Sequence, residues 1–514
     1  MKKLIVLSLV FAFVQNVFSQ EQATIITIRE EQKPVIISKH IYGHFAEHLG
    51  RCIYDGLYVG ENSPIVNTQG VRNDIIKVLK ELKVPNLRWP GGCFADTYHW
   101  KDGIGPKKER PSMVNRWWGG TTEDNSFGTH DFLNLCESIG AEPYLAGNVG
   151  SGTPRELEEW VQYVNYKSGS PMADLRKKNN REQPWHVNFW GVGNEMWGCG
   201  GNMTVEYYAN LYKQYATFMP NGEGKDKLFR IASGANGDDY HWTEVLMRDV
   251  PKGLIEGVAL HWYAVTNWEN KGSSSQFDEA HYFESMKAAL RMEELVKKHS
   301  EIMNKYDPDY KVALLVDEWG SWYETDDAAK NGVLYQQNTM RDAMIAGVTL
   351  NIFNNNAKRV KGANLAQLVN VLQAVILTDK ERIVLTPTYH VMKMFNVHQD
   401  ATLIPTQMVS PTYRYGDKEL PAISVSISKD SANLTHFSLT NIDLKKAHKV
   451  IIDLKQLKIN AISGQILSSS KINDYNTFDA PKTINPSPFK KFLIKNNQLE
   501  IEIPPYSVLV LEGK

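Results

Sequence analysis

Two glutamates stand at the ends of short apolar runs. VNFWGVGNE closes on Glu195 and VALLVDE closes on Glu318, and Trp197 and Trp319 follow them. Runs of this kind suit parallel strands buried on both faces. A carboxylate there is costly unless the strand has just emerged into a polar site. Two carboxylates so placed, one protonated and one bare, are what acid-catalysed cleavage of a glycosidic bond uses. As the acid, Glu195 needs a raised pKa, which desolvation by Trp190 or Trp197 would supply. Asn194 beside it can hydrogen-bond a sugar hydroxyl. From residue types alone, a strand-end Glu195 paired with a surface cation fits equally well. As the nucleophile, Glu318 must stay ionised, which partnership with Arg88 favours. Its neighbour Asp317 competes for that role. Adjacent strand residues point to opposite faces, so only one of the two is expected to face the centre, and Glu318, the later, is assigned.

Other motifs border the same chemistry. His44-Phe45-Ala46-Glu47-His48 matches H-x-x-E-H, a zinc-peptidase pattern that requires a helix. Its flanks, Ile41-Tyr42-Gly43 and Leu49-Gly50, read as a strand end entering a loop, so Glu47 is expected to bind sugar hydroxyls instead. Arg88-Trp89-Pro90-Gly91-Gly92-Cys93 joins a fixed cation to a turn that lets backbone approach a ligand. It lacks the phosphate-loop pattern, and Gly191-x-Gly193 is too short for a dinucleotide fingerprint. Cys52, Cys93, Cys136 and Cys199 are widely spaced, and the expectation is free, mostly buried thiols with no zinc coordination.

The elements that must position these residues alternate. Strand-like runs end near Glu47, Arg88, Asn148, Glu195, Asn236, Tyr263, Glu318 and Gln367. Helical patterns lie between them at Asn73–Leu82, Thr129–Ile139, Arg155–Tyr166, Val205–Thr217, Phe283–Lys298 and Tyr335–Phe353, with Thr204 an N-cap and Gly140 a stop. Eight strand–helix units predict an α/β fold, a (β/α)8 TIM barrel whose site lies at the C-terminal strand ends. Near Asp400 the pattern changes to short alternating strands, an antiparallel β-sandwich. The expected division is a signal peptide over 1–19, N-terminal strands over 20–38 that pair with the sandwich, the barrel over 39–399 and the sandwich over 400–514.

Composition narrows the class. Lys+Arg is 57 and Asp+Glu is 58, so charge steers toward neither nucleic acid nor anionic membranes. The 13 Trp and 23 Tyr suit stacking on sugars, although most must fill core. Met1–Ser19, with Lys2 and Lys3 before an apolar run, reads as a secretory leader too short to span a bilayer. An exported protein without membrane insertion, periplasmic or secreted, is the expectation.

Four stretches carry a family resemblance: HIYGHFAEHLGRCIYDG, LRWPGGCFADTYHWKDGIGP, WGVGNEMWGCGGNM and ANLAQLVNVL. With them the chain resembles the α-L-arabinofuranosidases of glycoside hydrolase family 51, from about Ile41 to the C-terminus. The resemblance implies a retaining exo-acting enzyme on arabinan, arabinoxylan or their oligosaccharides. It implies Glu195 as acid/base at barrel strand four and Glu318 as nucleophile at strand seven, which resolves Asp317 against Glu318. It further implies Asn194 on the furanose 2-hydroxyl, Glu47 on other hydroxyls, Arg88 orienting the nucleophile, Tyr263 near it, and Trp118 and Gln367 bordering the sugar. Cys93 stands where some members carry Asn, and a thiol is a poor replacement for an amide as partner to a sugar hydroxyl. No metal or organic cofactor is expected, and a homo-oligomer, frequently a hexamer, is implied. The alternative reading is an endo-β-glucanase or xylanase on the same barrel.

Overall fold

The computed structural model describes residues 23–29, 33–327, 332–457 and 459–514. Eight parallel strands close into a barrel: β1 (Gly43–Phe45), β2 (Asn86–Trp89), β3 (Glu142–Gly147), β4 (Phe189–Val192), β5 (Phe229–Asn236), β6 (Gly257–Ala264), β7 (Ala313–Ser321) and β8 (Val360–Ala366). The strands pair in order around the ring, with shifts of register at β5–β6, β6–β7 and β7–β8, and the ring closes where Leu365 pairs with His44. Most of these strand residues are buried, as strands covered on both faces must be.

Helices pack around the ring for local reasons. In α1 (Asn73–Leu82), Ile75, Val78, Leu79 and Leu82 recur at helical spacing and form the buried face. α2 (Thr129–Ile139) stops at Gly140, whose φ of 76° lies in the left-handed region that glycine adopts without strain. α3 (Pro154–Asn165) starts on a Thr153 cap with proline at its first position. α4 (Val205–Phe218) starts on Thr204, whose side chain accepts from the Tyr207 amide. α5 (Glu279–Tyr306) extends past both expected ends, beginning where the Asp278 side chain caps it. α6 (Met340–Asn355) begins five residues later than its hydrophobic pattern suggests, because Thr339 and Asp342 form a capping box that sets the first turn.

Beyond the barrel, two sheets form the sandwich. One runs in the order Thr406–Val409, Thr24–Ile28, His448–Asp453, Gln498–Ile503, Phe492–Lys495. The other runs Thr402–Leu403, Ile423–Lys429, Thr435–Asn441, Ser507–Gly513, Ile462–Leu467, Ser487–Pro488. The N-terminal strand Thr24–Ile28 pairs parallel to His448–Asp453 and antiparallel to Thr406–Val409. α6 lies between barrel and sandwich and is buried all round. Its Asn351 and Asn354 hydrogen-bond Ser424 and Ser426, so these buried amides are paired across the interface. Among the described residues no helix is long and apolar enough to cross a membrane.

Candidate active site

The mouth of the barrel is built at the C-terminal ends of its strands. Glu318 projects from β7. Its Oε1 accepts from Arg88 at 2.9 Å and its Oε2 accepts from the Tyr263 hydroxyl at 2.8 Å. Arg88, at the end of β2, also donates to the Asp317 carbonyl at 3.2 Å and to Asn194 Oδ1 at 2.5 Å. Burial opposes the guanidinium charge, but the adjacent Asp317 and Glu318 outweigh it and raise the Arg88 pKa. The cation is therefore permanent.

Glu195 stands just past β4, in a backbone with φ of 43° that non-glycine residues seldom adopt. Its Oε1 lies 2.9 Å from His261 Nδ1. Burial raises its pKa, and the charge of Glu318 adds to the rise against the opposing effect of His261. One carboxylate oxygen of Glu195, one of Glu318 and a ring nitrogen of His261 all fall within 4.8 Å of one another. Trp190 does not wall this carboxylate, contrary to expectation. Strand alternation turns it outward, where it meets Trp160 of α3 edge-on at 5.6 Å.

Glu47 lies beyond the end of β1 and is 2 % exposed. It accepts from the Phe94 amide, Trp118 Nε1 and Gln367 Nε2 at 3.0, 2.9 and 3.0 Å. Burial first, then Glu318, pushes its pKa up to about 7. Gln367 Oε1 is buried without a hydrogen-bond partner among the described residues. His44 and His48 take no part in a cluster with Glu47. His48 accepts from Trp89 Nε1 and donates from Nδ1 to Glu123 at 2.9 Å.

Three features depart from the sequence reading. First, Asp317 and Glu318 both reach the same centre. Asp317 accepts from Tyr144 at 2.7 Å, meets His261 Nε2 at 3.1 Å and lies 3.7 Å from Arg88 Nε. The pairing of β6 with β7 explains this, because Ala259 to His261 on one strand spans Leu315 to Glu318 on the other. One extra residue in β7 breaks the alternation on which the expectation rested. Second, Cys93 is not a free thiol but is bonded to Cys199, while Cys52 and Cys136 are free and buried. A separation of 106 residues hides this pairing, which arises because the loops after β2 and β4 overhang one mouth. Third, His261 and Asp96 were missed. His261 sits two residues before Tyr263 on the same strand face, and that spacing was the available signal. Asp96 accepts from the Val149, Gly150 and Asn194 amides and so pins the loops that carry the site.

Gly92 sets the closeness of the packing. A Cβ there would lie 2.7 Å from Glu318 Oε1 and 3.4 Å from Asn194 Nδ2. Gly92→Ala is therefore expected to lower kcat/KM by about 100-fold, since Glu318 can yield only by losing its Arg88 or Tyr263 bond. Steady-state kinetics beside a thermal unfolding curve checks this, and unchanged kinetics would show that the carboxylate is not held as tightly as its bonds imply.

The chain has close counterparts among known proteins. Residues 78–282 match the α-L-arabinofuranosidase 1 domain and residues 317–507 the α-L-arabinofuranosidase C-terminal domain. The intracellular exo-α-L-arabinofuranosidase of Bacteroides ovatus is 49 % identical over 514 residues, the whole of both chains. The family 51 arabinofuranosidase from Xanthomonas axonopodis pv. citri superposes with a TM-score of 0.93 at 45 % identity, over 96 % of this chain and all of that one. An α-L-arabinofuranosidase from Thermotoga maritima, solved as an arabinose complex, gives 0.83 at 31 % identity, over 96 % and 100 %. All of these likenesses run to enzymes that hydrolyse glycosides. The chain belongs to glycoside hydrolase family 51, the α-L-arabinofuranosidases.

One expectation is overturned here. The B. ovatus relative aligns across Met1–Ser19 as well, yet it is named an intracellular enzyme, so the reading of a signal peptide and an exported protein is withdrawn. A basic start before a short apolar run is a pattern of composition only, and Met1–Ser19 lies outside the described residues.

Proposed function

We propose that the enzyme releases terminal α-L-arabinofuranose from arabinan, arabinoxylan or their oligosaccharides by a retaining double displacement. Glu318 attacks the anomeric carbon while Glu195 gives its proton to the departing oxygen. Glu195 then takes a proton from water, whose oxygen displaces Glu318 and frees arabinose. The observation that carries this reading is the approach of the two carboxylates, with oxygens within 4.8 Å. Retaining enzymes hold their acids about 5–5.5 Å apart, whereas inverting ones leave room for a water between them.

The surroundings support the division of roles. Arg88 and Tyr263 each donate to one oxygen of Glu318, fixing its direction of attack. The Glu318 charge helps hold the proton on Glu195. Once Glu318 is esterified that charge is gone, the Glu195 pKa falls, and the acid becomes the base the second step needs. Gln367 Oε1 offers an unused acceptor to a sugar hydroxyl, its Nε2 bonds Glu47, which Trp118 also reaches, and Asn194 supplies a further contact. The disulfide replaces a thiol at Cys93, so that position offers the sugar no S–H donor. An intracellular place, which the name gives for the B. ovatus relative, suits oligosaccharides more than polymers. Assembly into a homo-oligomer belongs to this proposal, and light scattering measures it.

Proton NMR during the first turnovers tests the mechanism. The α-anomer of arabinofuranose is expected first, and initial appearance of the β-anomer would make the enzyme inverting.

Asp317→Asn tests the proton balance. Burial works against the His261 cation, yet Glu318 and Asp317 push its pKa up to about 10. Without the Asp317 charge His261 loses its proton at lower pH, and Glu195 loses a cation that favours its ionised form. Glu195 then stays protonated to higher pH, so the alkaline limb of kcat/KM moves up by about one unit. A limb that stays put or moves down would remove Asp317 and His261 from control of the acid.

A further inference from the structure

Among the described residues two groups of metal-capable side chains place one ligand atom each within 4.8 Å of one another. They are Cys93, Glu195 and Cys199, and Glu195, His261 and Glu318. The second is already engaged, because His261 bonds Glu195 through one nitrogen and Asp317 through the other. The first is a closed disulfide beside an open carboxylate. Cys199 Sγ lies 3.5 Å and Cys93 Sγ 4.0 Å from Glu195 Oε2. We infer that reduction of the Cys93–Cys199 bond creates a zinc site from the two sulfurs and Glu195, and that zinc bound there switches the enzyme off.

The donor set fits the ion. Two thiolates and one carboxylate are ligands zinc accepts, with a water completing the tetrahedron. Zinc–sulfur bonds of about 2.3 Å and zinc–oxygen bonds of about 2.0–2.2 Å put tetrahedral sulfur and oxygen ligands about 3.5 Å apart. Both sulfurs already stand near that distance from the carboxylate, so only the sulfur pair has to part. All three residues are half-buried at the barrel mouth, where a reductant and an ion can reach them, whereas Cys52 and Cys136 are buried. The widely spaced cysteines that sequence alone excludes from zinc chemistry are thus brought together by the fold.

The chemistry closes. A dithiol reductant passes two electrons and two protons to the disulfide, giving two thiols, and is itself oxidised to a disulfide. Zinc then displaces the two thiol protons and the proton of Glu195, and is held by two thiolates and a carboxylate with no further change of oxidation state. A metal-bound Glu195 has no proton to give. The blockade, but not the binding, rests on the acid/base reading of Glu195.

The test uses the full chain, reduced with a water-soluble phosphine and desalted without oxygen. Reduced protein is expected to take up one zinc per chain at micromolar zinc and to lose activity on an aryl α-L-arabinofuranoside by about tenfold or more. EDTA restores it. Oxidised protein takes up none and keeps its rate. Cys93→Ser and Cys199→Ser, each compared with its own zinc-free activity, lose the uptake. Equal uptake by reduced and oxidised protein, or undiminished uptake by both serine variants, would overturn the site. Full uptake with activity intact would overturn the blockade. The azide products of Glu195→Ala, read without zinc, report separately on whether Glu195 is the acid/base.

Discussion

Glu318→Gly is expected to lose turnover by about 10⁴-fold or more, equivalent to about 5 kcal/mol of barrier. The reason lies in geometry. Arg88 and Tyr263 hold both oxygens of Glu318, so no neighbour can swing into its place. Asp317, its neighbour in the chain, is tied to Tyr144 and His261 and cannot substitute. Added azide should fill the emptied space and attack the same carbon face. The product would be an arabinosyl azide of anomeric configuration opposite to the substrate, which NMR identifies. Undiminished unassisted activity in Glu318→Gly would end the nucleophile assignment.

The second large effect falls on Glu195→Ala, and its size should depend on the leaving group. With an arabino-oligosaccharide, whose departing oxygen needs a proton, the loss should be about 10²–10⁴-fold. With a nitrophenyl arabinofuranoside the first step needs little acid, so the arabinosyl-enzyme should accumulate and appear as a burst. Azide would then attack the intermediate without general-base help and give an arabinosyl azide of the same configuration as the substrate. The stereochemistry of the two azide products therefore separates the roles of the two glutamates in one pair of experiments. Equal losses on both substrates, with no burst and no azide effect, would remove the acid/base role from Glu195.

The barrel and sandwich were legible because their signals are local. Each barrel strand is a short apolar run, and the observed strands end within a few residues of Arg88, Asn148, Asn236 and Tyr263. The helices Asn73–Leu82 and Thr129–Ile139 match their expected bounds, since apolar periodicity marks both and Gly140 stops the second. Helices at Pro171–Lys178, Tyr240–Asp249 and Pro387–Phe395 went unread. They are short, and the second and third depend on caps at Asp239 and Thr386 more than on a long apolar stripe. What stayed hidden in the site is long-range. The Cys93–Cys199 bond joins loops after different strands, and the Asp317 contacts need a slip in register between β6 and β7 that no residue pattern announces. Burial also gives Asp96 and Glu47 pKa values of about 7, which depend on surroundings assembled from several strands.

The strand Thr24–Ile28 has an order-of-assembly consequence. It is made first on the ribosome, yet its partners His448–Asp453 and Thr406–Val409 emerge only after the barrel has been synthesised. Until then its two edges stay open to pairing with any other extended chain. Loop closure across some four hundred residues makes this docking a late event in folding. A nascent or truncated chain that stops before Thr406 would carry an unmated ribbon near its head, a natural handle for chaperones and a seed for aggregation.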